Sequence, residues 1–471
     1  MTLRNKKGWL LYIPVIIVAL TGFFFFDQAF DMKISMTHAS ELITGVLNGE
    51  WFYERTYQHA IAEGYLWRSA ELSGAIYNIV IYITMAIWAL PLYIISHVFQ
   101  FPPHRYTELL NMWGRIMVIL VSLVAANQIG KLHRELNPMR KEKESSVDIR
   151  YLFLASPILL FSVIVFNQYD IFSVLTTIIA LRMYYKDRKN AFCLVMALSI
   201  CYKLFAILIF VPFLLLREKR ISRLIGYFSL GVSLYVVTTA FSAIFDPGYL
   251  PTQEMMGKIY NYGDWVFEAQ LPGGFSNVSI FILAYIILCF IAYMRHEDSA
   301  ESRQRENHVA LWFGCAAYML FFAFVRWHPQ WFVILVPFLV LLITEVNHNE
   351  VILIIETLIN AGFIFLCTMT YSGISIVGET LYVRLFSPPI VGNYNILRAL
   401  CNQYGIGNTF FMTVLVAGMI VFLYAMWKSI HGKKISSATQ ESNMIRTILI
   451  SGRSCILFIY TLPPIIHMLF A

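Results

Sequence analysis

The sequence predicts an all-α, polytopic transmembrane helical bundle of about 13 crossings with short external interfacial helices. Three observations predict it. The chain is 58% hydrophobic and 13% charged, with a mean hydropathy of +0.65. Apolar runs recur from Trp9 almost to Ala471, and a helix spans a bilayer core with about 20 apolar residues. Basic residues gather in short clusters between the runs, which is the pattern that sets orientation in a membrane. No extramembrane segment reaches the usual size of an independent unit. Residues 1–471 therefore read as a single integral membrane domain, with 27–73 as a first external loop.

The basic clusters mark the cytoplasmic side: Arg4 to Lys7, Lys131 to Arg150, Lys186 to Lys189, Arg217 to Arg223, Arg295 to Arg305 and Lys428 to Lys434. The first run has a charged start but no small-residue cleavage site after it, so it reads as a retained first helix. Asp27 to Ser73, Gln100 to Asn111, the region near Asn167 to Asp170, Asp246 to Asn277, Arg326 to Gln330 and Ser372 to Asn408 fall outside. Two stretches resist simple alternation. If Trp9 to Phe26 leaves the cytoplasm, then Gly74 to Phe99 and Met112 to Ile129 cannot both return to it. Gly74 to Phe99 is therefore expected to be a non-crossing, re-entrant element broken near Pro91; the alternative is an external N-terminus, against the positive charges there. The run Asn190 to Leu216 has basic clusters at both ends and must cross twice, with about 13 residues, or roughly 20 Å, per leg. A short helical hairpin with Lys203 near its turn answers this; the alternative is one long helix whose Lys203 snorkels. The remaining spans are expected at about 151–166, 171–185, 224–245, 278–294, 308–325, 331–346, 351–371, 409–427 and 447–470.

The net charge of +7 comes mainly from these loops, and no long basic arm suggests a nucleic-acid partner. Six of the seven cysteines lie in apolar runs, with no disulfide framework or zinc spacing. Many of the 27 Tyr, 37 Phe and 10 Trp fit interfacial belts.

Polar groups at membrane depth usually line functional cavities, and here they fall at a few run ends. The first loop carries Asp27 and Asp31, spaced to share a helix face, followed by His38 and Glu41. A carboxylate beyond a membrane helix can serve as general base toward a hydroxyl; Asp31 lies deeper in the loop and is favoured over Asp27. Phe166-Asn167-Gln168-Tyr169-Asp170 offers Gln168 and Asp170 for hydrogen bonding to a sugar or phosphate. Tyr202-Lys203 supplies an ammonium that can neutralise a phosphate. Arg326-Trp327-His328-Pro329-Gln330-Trp331 brings Arg326 for phosphate, His328 for proton transfer and Gln330 for binding.

This ordered set of motifs resembles the GT-C superfamily of membrane glycosyltransferases. In that superfamily an acidic residue follows the first helix, as Asp27 and Asp31 do here. Phe166-Asn167-Gln168-Tyr169-Asp170 is similar to its later Gln-rich or acidic motif, with Asn where some members have Gly. Tyr202-Lys203-Leu204-Phe205 through Val211-Pro212 to Arg217-Glu218-Lys219 follows its Lys-plus-apolar pattern. Arg326 to Pro337 is similar to its His/Arg-Pro-Gln-Trp element. The pattern spans about residues 9–345, and the order of the motifs is more specific than any one of them. The resemblance implies an inverting hexosyltransferase, mannosyltransferase-like, with its active site on the external face of a plasma membrane, bacterial in type. It implies a polyprenyl-phosphate-linked sugar as donor, a glycolipid or cell-envelope glycan as acceptor, membrane lipids as partners, and no nucleic acid or cofactor. The first loop holds no Asp-x-Asp pair, so no metal is expected. A flippase for lipid-linked sugars, or a polysaccharide polymerase or ligase, is the alternative; no internal repeat of the transporter kind is visible.

Overall fold

The computed structural model describes residues 12–26, 30–62, 74–136, 149–259, 262–295, 302–345, 350–371, 380–386, 395–431 and 444–470. They form an all-helical bundle. In chain order its helices are α1 (Tyr12–Phe25), α2 (Phe30–Asn48), α3 (Phe52–Ala62), α4 (Ile79–Val98), α5 (Pro103–Leu136), α6 (Ile149–Leu154), α7 (Pro157–Leu160), α8 (Ile171–Tyr185), α9 (Lys189–Tyr202), α10 (Ile207–Arg217) and α11 (Ile221–Phe245). They continue as α12 (Tyr249–Ile259), α13 (Tyr262–Val266), α14 (Ile280–Met294), α15 (Ser302–Phe324), α16 (Val336–Glu345), α17 (Glu350–Tyr371), α18 (Leu381–Phe386), α19 (Ile396–Gln403), α20 (Asn408–His431), α21 (Met444–Gly452) and α22 (Phe458–Phe470). One two-stranded antiparallel ribbon pairs Gln270–Leu271 with Val278–Ser279. Among the described residues seven helical stretches are long and apolar enough to cross a membrane, and six shorter apolar helices accompany them. The chain is a multi-pass helical membrane protein.

Two expected spans change identity. The run 151–166 is not one helix. It is α6, a break at Ala155-Ser156 before Pro157, α7, and a π-helical turn over Phe161–Val165. Pro157 cannot donate its i→i−4 bond, and every residue from Ala155 to Phe166 is buried, so the irregular backbone is shielded by protein. Gly74 to Phe99, expected to break near Pro91, instead gives the continuous 20-residue α4, which runs through Pro91. Neighbouring helices compensate such prolines within a membrane bundle. Trp88 and Trp113 stack at 4.9 Å, and each indole N–H donates to the other's backbone carbonyl, at 2.9 and 2.7 Å.

The direction of α4 follows from its partners. The far end of α5 is fixed by Glu135, which pairs with Arg182 and Lys186 at 2.6 and 2.9 Å. Against that, α4 packs antiparallel on the first half of α5, with Tyr93 6.4 Å from Tyr106. α4 therefore leads away from the Arg182–Lys186 end. The segment expected as the first external loop folds, over its described residues, as α2 and α3. Glu41 of α2 ion-pairs with Arg55 of α3, which also reaches Glu50.

The hairpin expected over Asn190 to Leu216 is present. Lys189 at the start of α9 lies 3.3 Å from Glu218 just past α10, and Phe192 lies 5.5 Å from Phe210 across the hairpin. α10 in turn crosses α11 at Gly231, where a side chain would meet the Phe210 ring at 2.0 Å.

Far along the chain, a buried ion pair joins α17 to the α21–α22 segment. Arg453 and Glu356 are in contact, 1% and 2% exposed, and Asn360 Nδ2 donates to Glu356 Oε1 at 2.6 Å. Removing one member leaves a bare buried charge, which costs about 3–5 kcal/mol, whereas replacing both with apolar groups of similar size is close to neutral. Arg453→Met alone should lower the thermal midpoint of the purified protein strongly. Adding Glu356→Leu should recover most of that loss; no recovery would show that the pair is not the source of the effect.

Candidate functional site

The hairpin positions the central cation. α9 is 14 residues long, which carries its end about 21 Å from Lys189. There the helix stops. Lys203 is extended, at φ −155° and ψ 117°, before a 3-10 turn over Leu204–Ala206. Its N–H donates to Ser199 O at 2.9 Å and its carbonyl accepts from Ala206 N–H at 3.0 Å. The backbone is thus held at the break, and the ammonium projects into the bundle, with Nζ 2.6 Å from Asp170 Oδ1. The lysine side chain is 13% exposed and the aspartate 2%.

Asp170 arrives from the irregular stretch that replaced the expected helix. Phe166 N–H reaches back to Phe161 O at 2.8 Å, and Gln168 N–H to Ser162 O at 3.0 Å. Asn167 takes a left-handed conformation at φ +50°, which Asn tolerates better than most residues. The π turn and this single left-handed residue bend the chain so that Asp170 opens α8. Asn167, Gln168 and Asp170 are all buried.

Asp31 comes from the first turn of α2. The residue is half-buried, and its carboxylate faces Lys203, Asp170 and the Tyr77 hydroxyl, which donates to it. Burial raises its proton affinity above the usual aspartate value; Lys203 opposes the rise, Asp170 adds to it, and the Tyr77 hydrogen bond opposes it. Aromatic rings wall the cluster. Lys203 Nζ lies 5.3 Å from the Trp331 ring centre, 5.7 Å from Tyr169, and 6.0 Å from both Tyr77 and Phe205, all within cation–π range. His328 closes one side, 5.1 Å from Trp331 and 5.4 Å from Trp265. Burial, reinforced by Lys203 and opposed by Asp170, pushes the His328 pKa down to about 4. The imidazole is therefore neutral near pH 7.

The other sequence-selected residues are placed differently. His38 is buried against Tyr82 and Phe52, at 5.6 and 6.5 Å between ring centres. Glu41 pairs with Arg55 and lies 3.8 Å from His59 Nδ1. His38 and Glu41 thus join α2 to its neighbours. Arg326 is exposed and pairs with Glu268 at 3.1 Å. Gln330 is buried, and its Oε1 has no hydrogen-bond partner among the described residues. Asp27 lies outside the described residues. Three residues that shape the site were not selected from sequence: Tyr77, Tyr169 and Trp331. Tyr169 and Trp331 sit inside motifs already noticed for their neighbours. Tyr77 lies at the head of an apolar run and carries no local signal.

One consequence is a pH profile. With Asp31 as the base expected from the sequence, its raised proton affinity places the ascending limb of kcat/KM above the ordinary aspartate range, with activity lost as pH falls through it. His328, at about 4, adds no limb above pH ~5. Titrating wild type and His328→Gln should give the same ascending midpoint; a limb that moves with His328→Gln would reassign it.

No family model and no curated protein matches the chain. Among solved structures it is similar to ArnT from Cupriavidus metallidurans bound to undecaprenyl phosphate, with 12% identity and a TM-score of 0.42 over 98% of this chain and 78% of that chain. A likeness at that level carries no argument.

Proposed function

We propose that the chain is an inverting membrane glycosyltransferase of GT-C type, moving a hexose from a polyprenyl-phosphate donor to a glycolipid or cell-envelope glycan acceptor. The observation that carries this reading is the shielded cluster of Asp31, Asp170 and Lys203, set among aromatic faces at the turn of a short helical hairpin. A bundle has no structural need for two carboxylates and an ammonium at that depth, where each is costly. The motif order from Asp31 to Gln330 supports the same reading.

In the proposed reaction Asp31 takes the proton of the acceptor hydroxyl. The oxygen attacks the anomeric carbon from the face opposite the phosphate. The carbon–phosphate oxygen bond breaks, and its electron pair leaves with the lipid phosphate. Lys203 stabilises that developing charge, and Asp170 holds the ammonium in place. His328, Gln330 and Gln168 hydrogen-bond sugar hydroxyls as neutral groups, and Arg326 attracts the phosphate. Asp27 is the second choice as base. The site faces away from the end marked by Arg182, Lys186 and Arg217, which supports placement on the external side.

Purified protein in lipid nanodiscs, given polyprenyl-phosphate hexoses and a panel of lipid-linked glycans, tests this. Transfer with inversion at the anomeric carbon is expected. Movement of donor across a vesicle without transfer would favour the flippase instead.

A further inference from the structure

Asp246, at the end of α11, is 5% exposed and touches no member of the cluster around Lys203. Its carboxylate receives three backbone N–H groups. Oδ2 accepts from Tyr53 at 2.7 Å; Oδ1 accepts from Glu54 at 2.9 Å and from Gly248 at 3.1 Å. Tyr53 and Glu54 open α3, so Asp246 caps that helix from nearly two hundred positions away. A carboxylate at a helix N-terminus satisfies orphan donors and complements the helix dipole. The contact admits no spacer: a side chain at Gly248 would meet Glu54 N and Cα at 2.3 Å.

Tyr53 carries the connection onward. Its ring packs against Phe52 and Tyr249, at 4.9 and 4.8 Å, and its hydroxyl donates to the Tyr77 carbonyl at 2.7 Å. The Tyr77 N–H in turn donates to Tyr82 Oη at 3.2 Å. Both backbone polar groups of Tyr77 are therefore held, and its phenol reaches Asp31. A single hydrogen-bonded strut thus runs from Asp246 through Tyr53 to the residue that donates to the carboxylate.

We propose that Asp246 and Tyr53 are positioning residues that fix the Tyr77 phenol against Asp31 and so set the ionisation of the base. This rests on the reading of Asp31 as general base. The groups facing Asp31 are Lys203 at the end of α9, Asp170 at the head of α8, Tyr77 ahead of α4, Tyr82 within α4, and Tyr169. Of these, Tyr77 takes the Tyr53 hydrogen bond directly, and Tyr82 joins the strut through the Tyr77 N–H.

Tyr53→Phe keeps the ring contacts and deletes only the hydroxyl. The Tyr77 hydrogen bond favours the ionised carboxylate, so loosening it raises the affinity of Asp31 for its proton. The ascending limb of kcat/KM should move up by about half a pH unit, which lowers kcat/KM about threefold at pH values on the limb, with the plateau and donor KM little changed. Asp246→Asn should move the limb the same way, because an amide cannot accept at both positions. A role confined to folding would lower the yield of active protein and leave the limb in place. Asp31→Asn, measured alongside, separates the two claims. If it is inactive while Tyr53→Phe matches wild type in limb, the strut is wrong. If Asp31→Asn retains transfer, the base assignment falls and this inference with it.

Discussion

Asp31→Asn should reduce glycosyl transfer by about 10²–10⁴-fold, the usual contribution of a positioned general base, while donor binding stays within a few-fold of wild type. The substitution keeps size and shape and removes the proton acceptor. The loss therefore falls on the transition state, and kcat and kcat/KM drop together. The carboxylate faces both Lys203 and Asp170, so in the proposed mechanism a hydroxyl is activated beside the ammonium assigned to the leaving phosphate. The amide also removes one negative charge next to Lys203, which should make anionic lipid binding no weaker. Asp27→Asn should be milder. A near-normal Asp31→Asn with an inactive Asp27→Asn would exchange the two roles.

Lys203→Met carries the second large effect, on two readouts. The ammonium pairs with Asp170 at 2.6 Å in a setting where the carboxylate is 2% exposed. Deleting it leaves Asp170 charged and buried beside Asp31, a loss of about 3–5 kcal/mol for a broken buried pair. The thermal midpoint should fall, and transfer should fall by 10²-fold or more, since both donor affinity and leaving-group stabilisation go. Lys203→Met with Asp170→Leu should restore much of the stability and none of the activity. Recovery of activity in the double variant would mean that Lys203 is only a structural counter-ion. Arg326→Ala should act less, because that side chain is 60% exposed and already paired at the surface.

Much of this fold was legible because membrane constraints are strong. Apolar length and basic loops located most helices, and the cation clusters at both ends of Asn190 to Leu216 favoured a hairpin with Lys203 near its turn over one long helix. Where the reading failed, packing had overridden a local signal. Pro91 suggested a break, but Trp88 and Trp113 hold α4 to α5 across it. The run 151–166 suggested a span, but Pro157 and the left-handed Asn167 turn it into the bent support that delivers Asp170. For the site, the charged residues were legible because charge is rare at depth. Their aromatic walls were not, since Tyr77 and Trp331 look like any belt residue until the chain is folded. Glu41 shows the reverse: a polar residue in the same loop whose partner, Arg55, belongs to α3 and not to the cluster.

The most direct test is a single-turnover assay in nanodiscs with a radiolabelled polyprenyl-phosphate hexose and its acceptor, comparing wild type with Asp31→Asn at saturating donor. The proposed mechanism predicts inverted product from wild type, and donor that stays bound and uncleaved on the variant. Equal product from both proteins, or no transfer by wild type from any polyprenyl-phosphate donor, would contradict it.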